Sequence, residues 1–330
     1  MQTCGWTNFH SHTNVDPCCE GDLTPALYAG LLGDEMRRVV ITDHGFMHYF
    51  IHEIDLLWSG RWMEEPEHFD AAREIGNAKL RTGIGKIRDL KNANVFAGIE
   101  TDMMRDGRLT HDPAFTDAFD VILCGIHFAP WIEMIESEEA RERAWLDFVD
   151  ALLGTPEVDV FAHPFRWLAT VNKGSISDDA IRRVLRWVEE RGVAIELNSN
   201  ANTPETAEVR MLRIAADRGI PVVIGTDSHA RAQITNFSLA RQRLESAGLA
   251  PQDLYMPEVE DFIARKGWRH TMASRPVVDR SGRTITPEED CGRESTLGGI
   301  DHAHGEGGGV CAHAQRTMRK GNLDPLAIKP

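Results

Sequence analysis

Short runs of almost uninterrupted apolar residues recur along the whole first part of the chain. Most of these runs are rich in Val and Ile, as expected for β-strands that are buried on both faces. Together they predict seven strands: GWTNFH (5–10), VVIT (39–42), NVFAGIE (94–100), DVILCGIH (120–127), VDVFAH (158–163), GVAIELN (192–198) and PVVIGTD (221–227).

Helical patterns with capping signals lie between the predicted strands. Thr24–Pro25 and Thr203–Pro204 each place a capping hydroxyl before a proline that suits the first helical position. Two further helices are predicted over 137–154 and 177–192, each running from a serine to a glycine. Strand–helix alternation of this regularity predicts a parallel sheet with right-handed crossovers. Seven strands predict that the sheet closes into a TIM-like (β/α)7 barrel of the α/β class.

The periodic pattern stops near residue 275, which divides the chain into two predicted parts. Residues 1–275 are predicted to form the barrel domain, with a segment at 46–92 that is longer than one crossover helix and could lie beside the site as a flap. Residues 276–330 are rich in Gly and polar residues, which predicts a flexible tail. Its cysteines and histidines lack the spacing of a zinc finger and are interpreted as chance residues: Cys291, His302, His304, Cys311 and His313.

The composition of the 330 residues, 42% hydrophobic and 26% charged, is that of a soluble globular protein. No apolar run approaches the roughly 20 residues of a membrane span, and MQTCGWTNF at the N-terminus lacks the features of a signal peptide. Six cysteines at irregular spacings, without CxxC, predict a reduced, cytoplasmic protein rather than a disulfide framework. The net charge of -15 argues against general nucleic-acid binding. The sequence gives no indication of the oligomeric state.

Ionisable side chains follow six of the seven predicted strands at the same relative place. The carboxyl ends of barrel strands gather on one face, where barrel enzymes carry their catalytic groups. Each HxH or DxH pair points both side chains to the same side of an extended segment. Burying so many ionisable groups together without a cation would cost several kcal/mol, so the pattern predicts a metal site. The candidate ligands are His10, His12, His44, Glu100, His127, His163, Asp227 and His229.

The candidate ligands mix imidazoles with carboxylates, a combination that suits Zn, Mn or Fe better than Mg or Ca. Eight candidates exceed what one tetrahedral zinc ion can use, so about two to three divalent transition-metal ions are predicted, with Glu100 as a bridge. Asp43 precedes His44 and points to the opposite side of an extended strand. It is predicted to orient a ligand histidine or to bind backbone from outside the ligand set.

Six motifs, taken in order, resemble those of the polymerase and histidinol phosphatase (PHP) superfamily: FHSHT, VVITDHGF, FAGIE, ILCGIH, FAHPF and VIGTDSHA. The resemblance covers about residues 8–250. The long spacer between GIE and GIH, together with IELNSN, looks most like the stand-alone phosphatases that hold three metal ions. The resemblance implies a distorted seven-stranded barrel that hydrolyses phosphate esters.

The resemblance also implies how the ligands divide among three metals. The first metal would be held by His10, His12, Glu100 and Asp227, and the second by Glu100, His127 and His163. The third would be held by His44 and His229 with a residue from the loop after His12.

That loop departs from the family pattern, because Cys18 stands where the family usually has a histidine. Three alternatives remain open for the third metal: a Cys18 thiolate ligand, an Asp16 oxygen ligand, or His44 and His229 alone with water. The adjacent Cys19 is predicted to point elsewhere in an extended loop, as a small buried residue.

The predicted function is hydrolysis of the phosphate ester of a small metabolite or nucleotide, by a phosphatase or phosphodiesterase. A water bound to divalent ions has its pKa lowered toward about 7, which supplies hydroxide at neutral pH. Asp227 or His229 is placed to handle the proton of the leaving alcohol. Arg166 and Arg231 follow ligand-bearing turns and are candidates for binding the substrate phosphate. Histidinol phosphate, nucleoside monophosphates and cyclic phosphates all fit this chemistry.

Two other readings of the ligand set remain. The amidohydrolases also begin with HxH, but they usually place a single Asp after strand eight and often a carboxylated Lys after strand four, whereas this chain has Asp227 and His229 as a pair. A PHP domain can also be a metal-stabilised binding module without catalysis. The complete ligand set favours the enzyme.

Overall fold

Seven parallel strands form one sheet in the computed structural model, hydrogen-bonded in the order in which the chain visits them. The structure describes residues 5–200, 203–273, 277–278 and 284–285. The strands of this sheet are β1 (Trp6–Asn8), β2 (Met36–Ile41), β3 (Val95–Asp102), β4 (Val121–Gly125), β5 (Val160–Phe161), β6 (Ala194–Asn198) and β7 (Val222–Gly225).

The sheet closes because the chain following β1 meets the end of β7. The Phe9 N–H donates to the Ile224 carbonyl at 2.9 Å, and the Asp227 N–H donates to the His10 carbonyl at 2.8 Å. The register between β1 and β2 shifts just after Trp6, so the barrel is irregular there. The predicted α/β fold, a (β/α)7 barrel, is therefore confirmed.

Helices occupy the connections between the strands. They are α1 (Pro25–Gly30), α2 (Gly45–Phe50), α3 (Ile54–Ser59), α4 (Pro66–Asp89), α5 (Pro130–Glu133), α6 (Glu138–Leu153), α7 (Arg166–Val171), α8 (Asp178–Arg191), α9 (Glu205–Arg218), α10 (Ser238–Ala247) and α11 (Val259–Ala273). Short 3-10 helices lie at Arg61–Met63, Pro113–Ala118, Arg231–Gln233 and Pro251–Asp253.

Most of the predicted capping residues begin or end a helix as expected. The side chains of Ser137 and Ser177 accept hydrogen bonds from backbone N–H groups in the first turns of α6 and α8. Gly192 ends α8 with a φ of 63°, a left-handed conformation that favours glycine. The start of α9 differs from the prediction: Pro204 has an extended ψ of 132°, so the helix begins at Glu205.

Alternation along the strands separates the barrel interior from the layer beneath the helices. Val40, Phe96 and Leu123 belong to an apolar cluster inside the barrel, whereas their chain neighbours pack outward beneath the helices. The start of α11 contributes Phe262 to the interior cluster, where its ring centroid lies 5.7 Å from that of Phe9. Apolar side chains therefore fill the barrel interior, and the ionisable groups lie at the carboxyl ends of the strands.

The segment at 46–92 folds as the helices α2, α3 and α4. Its aromatic residues form a second apolar cluster against β3 and β4, which includes Phe46, Tyr49 and Trp62. The Phe46 ring centroid lies 5.0 Å from that of His44. The segment predicted as a flap is thus a helical layer that packs against the site.

The chain divides into two units, residues 1–265 and 266–330. In the second unit, β8 (Val277–Val278) and β9 (Thr284–Ile285) pair as antiparallel strands. The rest of the tail predicted at 276–330 lies outside the described residues, with its Cys and His residues, so the tail and the boundary at 275 stay predictions. Among the described helices, none combines the length and the apolarity needed to cross a membrane.

Candidate metal centre

The carboxylate of Glu100 lies at the centre of the ionisable groups. This side chain projects from β3 and is fully buried. Five imidazoles surround its two oxygens. The distances to Oε2 are 3.1 Å from His10 Nε2, 3.5 Å from His12 Nε2 and 2.8 Å from His44 Nδ1, and those to Oε1 are 2.6 Å from His163 Nε2 and 3.4 Å from His127 Nε2.

Four of these groups have the spacing of a tetrahedral metal site. His10 Nε2 and His12 Nε2 are 3.0 Å apart, and Asp227 Oδ1 lies 3.6 Å from the first and 3.1 Å from the second. Zinc–nitrogen bonds of 2.0–2.1 Å place tetrahedral ligands about 3.3–3.4 Å from one another. The measured distances, with Glu100 as the fourth ligand, bracket this value.

Hydrogen bonds at the far side of each ring determine where its proton lies. His10 Nδ1 is 2.9 Å from Glu196 Oε1, and His12 Nδ1 is 2.9 Å from Asp16 Oδ2. A carboxylate only accepts, so each Nδ1 carries the hydrogen. Burial alone would lower the pKa of His10, but the carboxylates of Glu100, Glu196 and Asp227 raise it well above its usual value, so without a metal its Nε2 also carries a proton that it can donate to His12 Nε2. A metal ion would take the place of that proton and bind both Nε2 atoms, so the donor set fits a metal ion.

Three buried polar atoms in this region have no hydrogen-bond partner in the described part of the chain: His44 Nδ1, Glu100 Oε2 and Asp16 Oδ1. The first two are only 2.8 Å apart but are not aligned for a hydrogen bond. Buried polar atoms are nearly always satisfied in folded proteins. Their convergence here is what a metal ion would explain.

His127 and His163 form a second group on the other side of Glu100. Asp102 holds His127 from outside, since its carboxylate accepts from the His127 backbone N–H at 2.8 Å and from Nδ1 at 3.1 Å. Glu196 likewise accepts from the His163 backbone N–H at 2.7 Å. Asp102 is not among the predicted site residues, although its position two residues after Glu100 on β3 places both side chains on the same face of the strand.

A third group lies where the loops after β1, β2 and β7 meet, and it consists of Asp16, Cys18, Cys19, His44 and His229. The Cys18 and Cys19 sulfurs and a His229 ring nitrogen all lie within 4.8 Å of one another. Cys18, Asp16 and His44 meet the same limit. The expectation that Cys19 points elsewhere is wrong, because the loop is not extended: the Cys19 N–H donates to the Asp16 carbonyl at 3.0 Å and closes a turn.

Two of the buried imidazoles are held in the neutral form that binds a metal. Burial, and then nearby imidazoles, lower the pKa of His12 to about 3. Burial and the charge of Arg166 lower the pKa of His163 to about 4, so both rings are neutral at neutral pH. Burial alone would raise the pKa of Glu100, but the surrounding imidazoles, with His10 contributing most, hold it well below its usual range. Glu100 is therefore an anionic carboxylate.

Left-handed backbone conformations and glycines occur among the residues around Glu100. His163 and Asp227 have φ values of 28° and 48°, the left-handed region that non-glycine residues rarely adopt. A Cβ at Gly125 would lie 2.9 Å from Glu100 Oε1 and 2.9 Å from His163 Cε1. A Cβ at Gly225 would lie 2.4 Å from the His10 Cβ. Both glycines leave room that the clustered side chains occupy.

The other predicted residues take different positions. Asp43 accepts from the Thr13 N–H at 2.5 Å and from the Thr13 hydroxyl at 2.9 Å, so it binds the loop after β1. Arg166 reaches the centre, where Nη1 is 2.5 Å from Asp227 Oδ2. Arg231 is exposed and lies 3.7 Å from Asp22, so the structure does not bring it into the group.

Comparisons with known proteins find sequence relatives of this chain. No family model matches the chain. The DNA polymerase/3'-5' exonuclease PolX of Bacillus subtilis is 25% identical over 181 residues, which are 54% of this chain and 30% of that protein. A protein named probable phosphatase from Syntrophotalea carbinolica is 23% identical over 186 residues, which are 53% of this chain and 70% of that protein.

Among solved structures, this chain is similar to histidinol phosphate phosphatase from Lactococcus lactis complexed with zinc, L-histidinol and phosphate. The TM-score is 0.42 with 14% identity, and the match covers 75% of this chain and 95% of that one. The sequence relatives support the resemblance to the PHP superfamily that the ordered motifs indicate. The match spans less than a third of the polymerase's length.

Proposed function

We propose that this protein hydrolyses the phosphate ester of a small metabolite or nucleotide, using about two to three divalent metal ions held around Glu100. The observation that carries the proposal is the convergence of five imidazoles on the two oxygens of Glu100. The relative named probable phosphatase supports the choice of a phosphate ester as substrate. Zn, Mn and Fe are the metals that suit this mixture of nitrogen and oxygen ligands.

The ligands would divide around Glu100 as the resemblance implies. His10, His12 and Asp227 would hold an ion at Oε2, and His127 and His163 would hold an ion at Oε1. A third ion would be held by His44 and His229 with groups from the loop after β1. Such ions supply Lewis-acid chemistry, since they polarise phosphoryl oxygens and lower the pKa of bound water.

The carboxylates behind the ligands would keep the imidazoles in the correct tautomer. Glu196, Asp16 and Asp102 each accept from an Nδ1 hydrogen, which leaves Nε2 free to bind. This arrangement also increases the basicity of the ring nitrogen toward the metal. The site would therefore be organised before the substrate binds, at no cost during the reaction.

Arg166 would bind the substrate phosphate. Its guanidinium is partly exposed at the mouth of the site, where Nη2 is 2.5 Å from His163 Nε2. Once metal ions occupy the imidazoles, this cation would turn toward phosphoryl oxygens, which a guanidinium can bind in pairs.

Asp227 or His229 would transfer the proton to the leaving alcohol. His229 Nδ1 is 2.8 Å from the Asp227 carbonyl, so that neighbouring residue fixes the ring. Asp227 Oδ2 faces Arg166 and the side-chain amide of Asn198, away from the tetrahedral group. The side chains of Asp227 and His229 are thus both held in fixed positions at the mouth of the site, next to the proposed metal ligands.

The end of β4 favours a phosphoesterase over an amidohydrolase. This strand ends at Gly125 and is followed by Ile126 and His127, and no lysine is available there to form a carbamate. The position is occupied instead by an imidazole held by Asp102. The alternative of a metal-stabilised binding module without catalysis differs from the proposed enzyme in one measurable property, the turnover of a phosphate ester.

The proposal is tested by metal analysis of protein purified without chelator, followed by a screen of phosphorylated metabolites with phosphate release as the readout. We expect metal-loaded protein to turn over at least one phosphate monoester or cyclic phosphate. His127→Ala and His163→Ala should abolish that turnover, and His52→Ala, an exposed histidine in the same chain, should leave it unchanged. A metal-loaded protein without activity on any phosphate ester would favour the binding module.

A further inference from the structure

The loop after β1 holds two adjacent cysteines in a fixed position over the mouth of the barrel. Residues 16–19 form a turn with Pro17 at the position that proline favours, closed by the Cys19 N–H donating to the Asp16 carbonyl at 3.0 Å. Next along the chain, the Glu20 N–H donates to the His229 carbonyl at 2.9 Å. The turn is therefore bound to the loop after β7.

The turn brings both sulfurs to the same side. In an extended segment, neighbouring side chains would point in opposite directions. Here the Cys18 and Cys19 sulfurs lie within 4.8 Å of each other and of a His229 ring nitrogen. Cys18 also lies within 4.8 Å of a His44 ring nitrogen. Two sulfurs and the His229 imidazole therefore lie within reach of one point, and the His44 imidazole borders them beside Cys18.

The His229 ring is oriented for binding. Its Nδ1 donates to the Asp227 carbonyl at 2.8 Å, so Nε2 carries the lone pair. The His229 backbone N–H donates to Gln233 Oε1 at 2.7 Å, which fixes the residue from the other side. Cys18 is exposed, so an ion from solvent can reach it without opening the barrel.

We infer that Cys18 and Cys19, with His229 and His44, form a thiolate-containing metal position that is chemically distinct from the group around Glu100. Thiolate ligands select zinc and other thiophilic ions, whereas Mn prefers oxygen ligands. Tetrahedral zinc with sulfur ligands at about 2.3 Å separates two sulfurs by about 3.8 Å, within the limit observed here. The inference rests on the proposed metal centre but not on the identity of the substrate.

The consequence is a division of metal preference within one centre. The nitrogen and oxygen ligands around Glu100 accept Zn, Mn or Fe, and the cysteine position accepts zinc in preference to Mn. Asp16 is the competing ligand, because its Oδ1 is buried without a hydrogen-bond partner in the described structure. Its Oδ2 is already engaged by His12 Nδ1 and by the His44 N–H, at 2.9 and 3.0 Å.

The test is substitution with cobalt(II) in full-length protein that has been stripped of metal. A cobalt–thiolate bond gives a charge-transfer absorption in the near ultraviolet that nitrogen and oxygen ligands do not give. We expect the wild type to show this band, Cys18→Ser and Cys19→Ser each to lose about half of it, and the double variant to lose it all. The control is Cys4→Ser/Cys291→Ser/Cys311→Ser, which retains both cysteines of the loop and should keep the full band.

Metal counts give a second readout. The double variant should bind about one zinc ion fewer per chain than the wild type, with its melting temperature in the metal-free state unchanged. The wild type should bind about one manganese ion fewer than zinc, a difference that the double variant should lose. A full zinc count in the double variant would overturn the inference and favour Asp16. A full band in the double variant would overturn it as well, because the thiolate ligands would then be other cysteines of the chain. Because neither readout uses substrate, the absence of phosphatase activity would leave the inference standing.

Discussion

His10 and His12 point their Nε2 atoms at each other across 3.0 Å, and each ring donates its Nδ1 hydrogen to a buried carboxylate. The two carboxylates come from distant parts of the sequence, since Asp16 lies in the loop after β1 and Glu196 lies on β6. They hold the two rings so that both Nε2 atoms face one small volume. A positive charge in that volume stabilises the arrangement: a proton on His10 when no metal is bound, or a metal ion bound by both nitrogens.

Replacing Glu196 by glutamine should weaken metal binding. Glu196 accepts from His10 Nδ1 and from the His163 backbone N–H, so one side chain supports ligands of both predicted metals. Loss of such an outer carboxylate typically costs about 10–100-fold in metal affinity or activity. Metal titration followed by activity measures the effect. Glu190→Gln, an exposed glutamate on α8, is the control, and equal affinities in the two variants would contradict the role of Glu196.

Replacing Gly125 by alanine should reduce metal content and turnover while the barrel still folds. The new Cβ would lie 2.9 Å from Glu100 Oε1 and 2.9 Å from His163 Cε1, closer than real contacts allow. The two side chains must then shift, and ligand distances shift with them. Metal analysis and circular dichroism separate this effect from unfolding.

The matched control is Gly85→Ala in α4, where an added Cβ meets no atom within 4 Å. Alanine at this helical position should stabilise the protein by about 0.5–1 kcal/mol and leave metal content unchanged. A Gly125→Ala variant with a full metal complement would show that the centre tolerates the displacement.

Substitutions of Arg166 and Arg231 should have very different effects on kcat/KM, although both residues follow ligand-bearing turns in the sequence. Arg166→Gln removes a cation whose Nη1 lies 2.5 Å from Asp227 Oδ2 at the centre. Charge-assisted hydrogen bonds contribute about 1.5–3 kcal/mol, so we expect kcat/KM to fall about 10–100-fold. Arg231→Gln alters an exposed side chain beside Asp22 and should change kcat/KM less than about twofold. Equal effects would remove Arg166 from the phosphate site.

His48 should make the fold sensitive to acid. It is buried, its Nδ1 has no hydrogen-bond partner in the described part of the chain, and burial lowers its pKa to about 3. The unfolded chain, with a histidine pKa near 6.5, then binds more protons than the folded chain between these values. Stability is full above about pH 6.5 and is lost as the pH falls toward about 3.

His48→Leu removes this dependence. Between pH 7 and pH 5 the wild type should lose about 2 kcal/mol of unfolding free energy through His48, and the variant should not. Denaturant unfolding of metal-free protein at the two pH values measures the difference. His52→Leu, at an exposed position in the same segment, is the control. A constant difference between wild type and His48→Leu across this range would contradict the assignment.

The barrel, and the rim at which the ionisable groups gather, could be predicted from local sequence patterns. Apolar runs of strand length, separated by capped helices, can bury both faces of a sheet only if the strands are parallel and the helices cover them. The carboxyl ends of such strands must then meet at one rim. His10, Glu100 and Asp227 could therefore be assigned to one site from position alone, because each directly follows or ends a predicted strand.

Local patterns could not predict how those groups are held or which other residues contact them, because these contacts join distant parts of the chain. The pairing of His10 with Glu196 depends on the closure of β1 beside β7, which local patterns do not encode. The Cys19 side chain lies near His229 because the chain turns at residues 16–19, whereas in an extended loop this side chain would point away from that of Cys18. Arg166 reaches the centre and Arg231 does not, since the path of each loop over the rim sets how far a long side chain can extend. Strand ends are determined by local periodicity, whereas contacts between loops depend on packing between residues far apart in the chain.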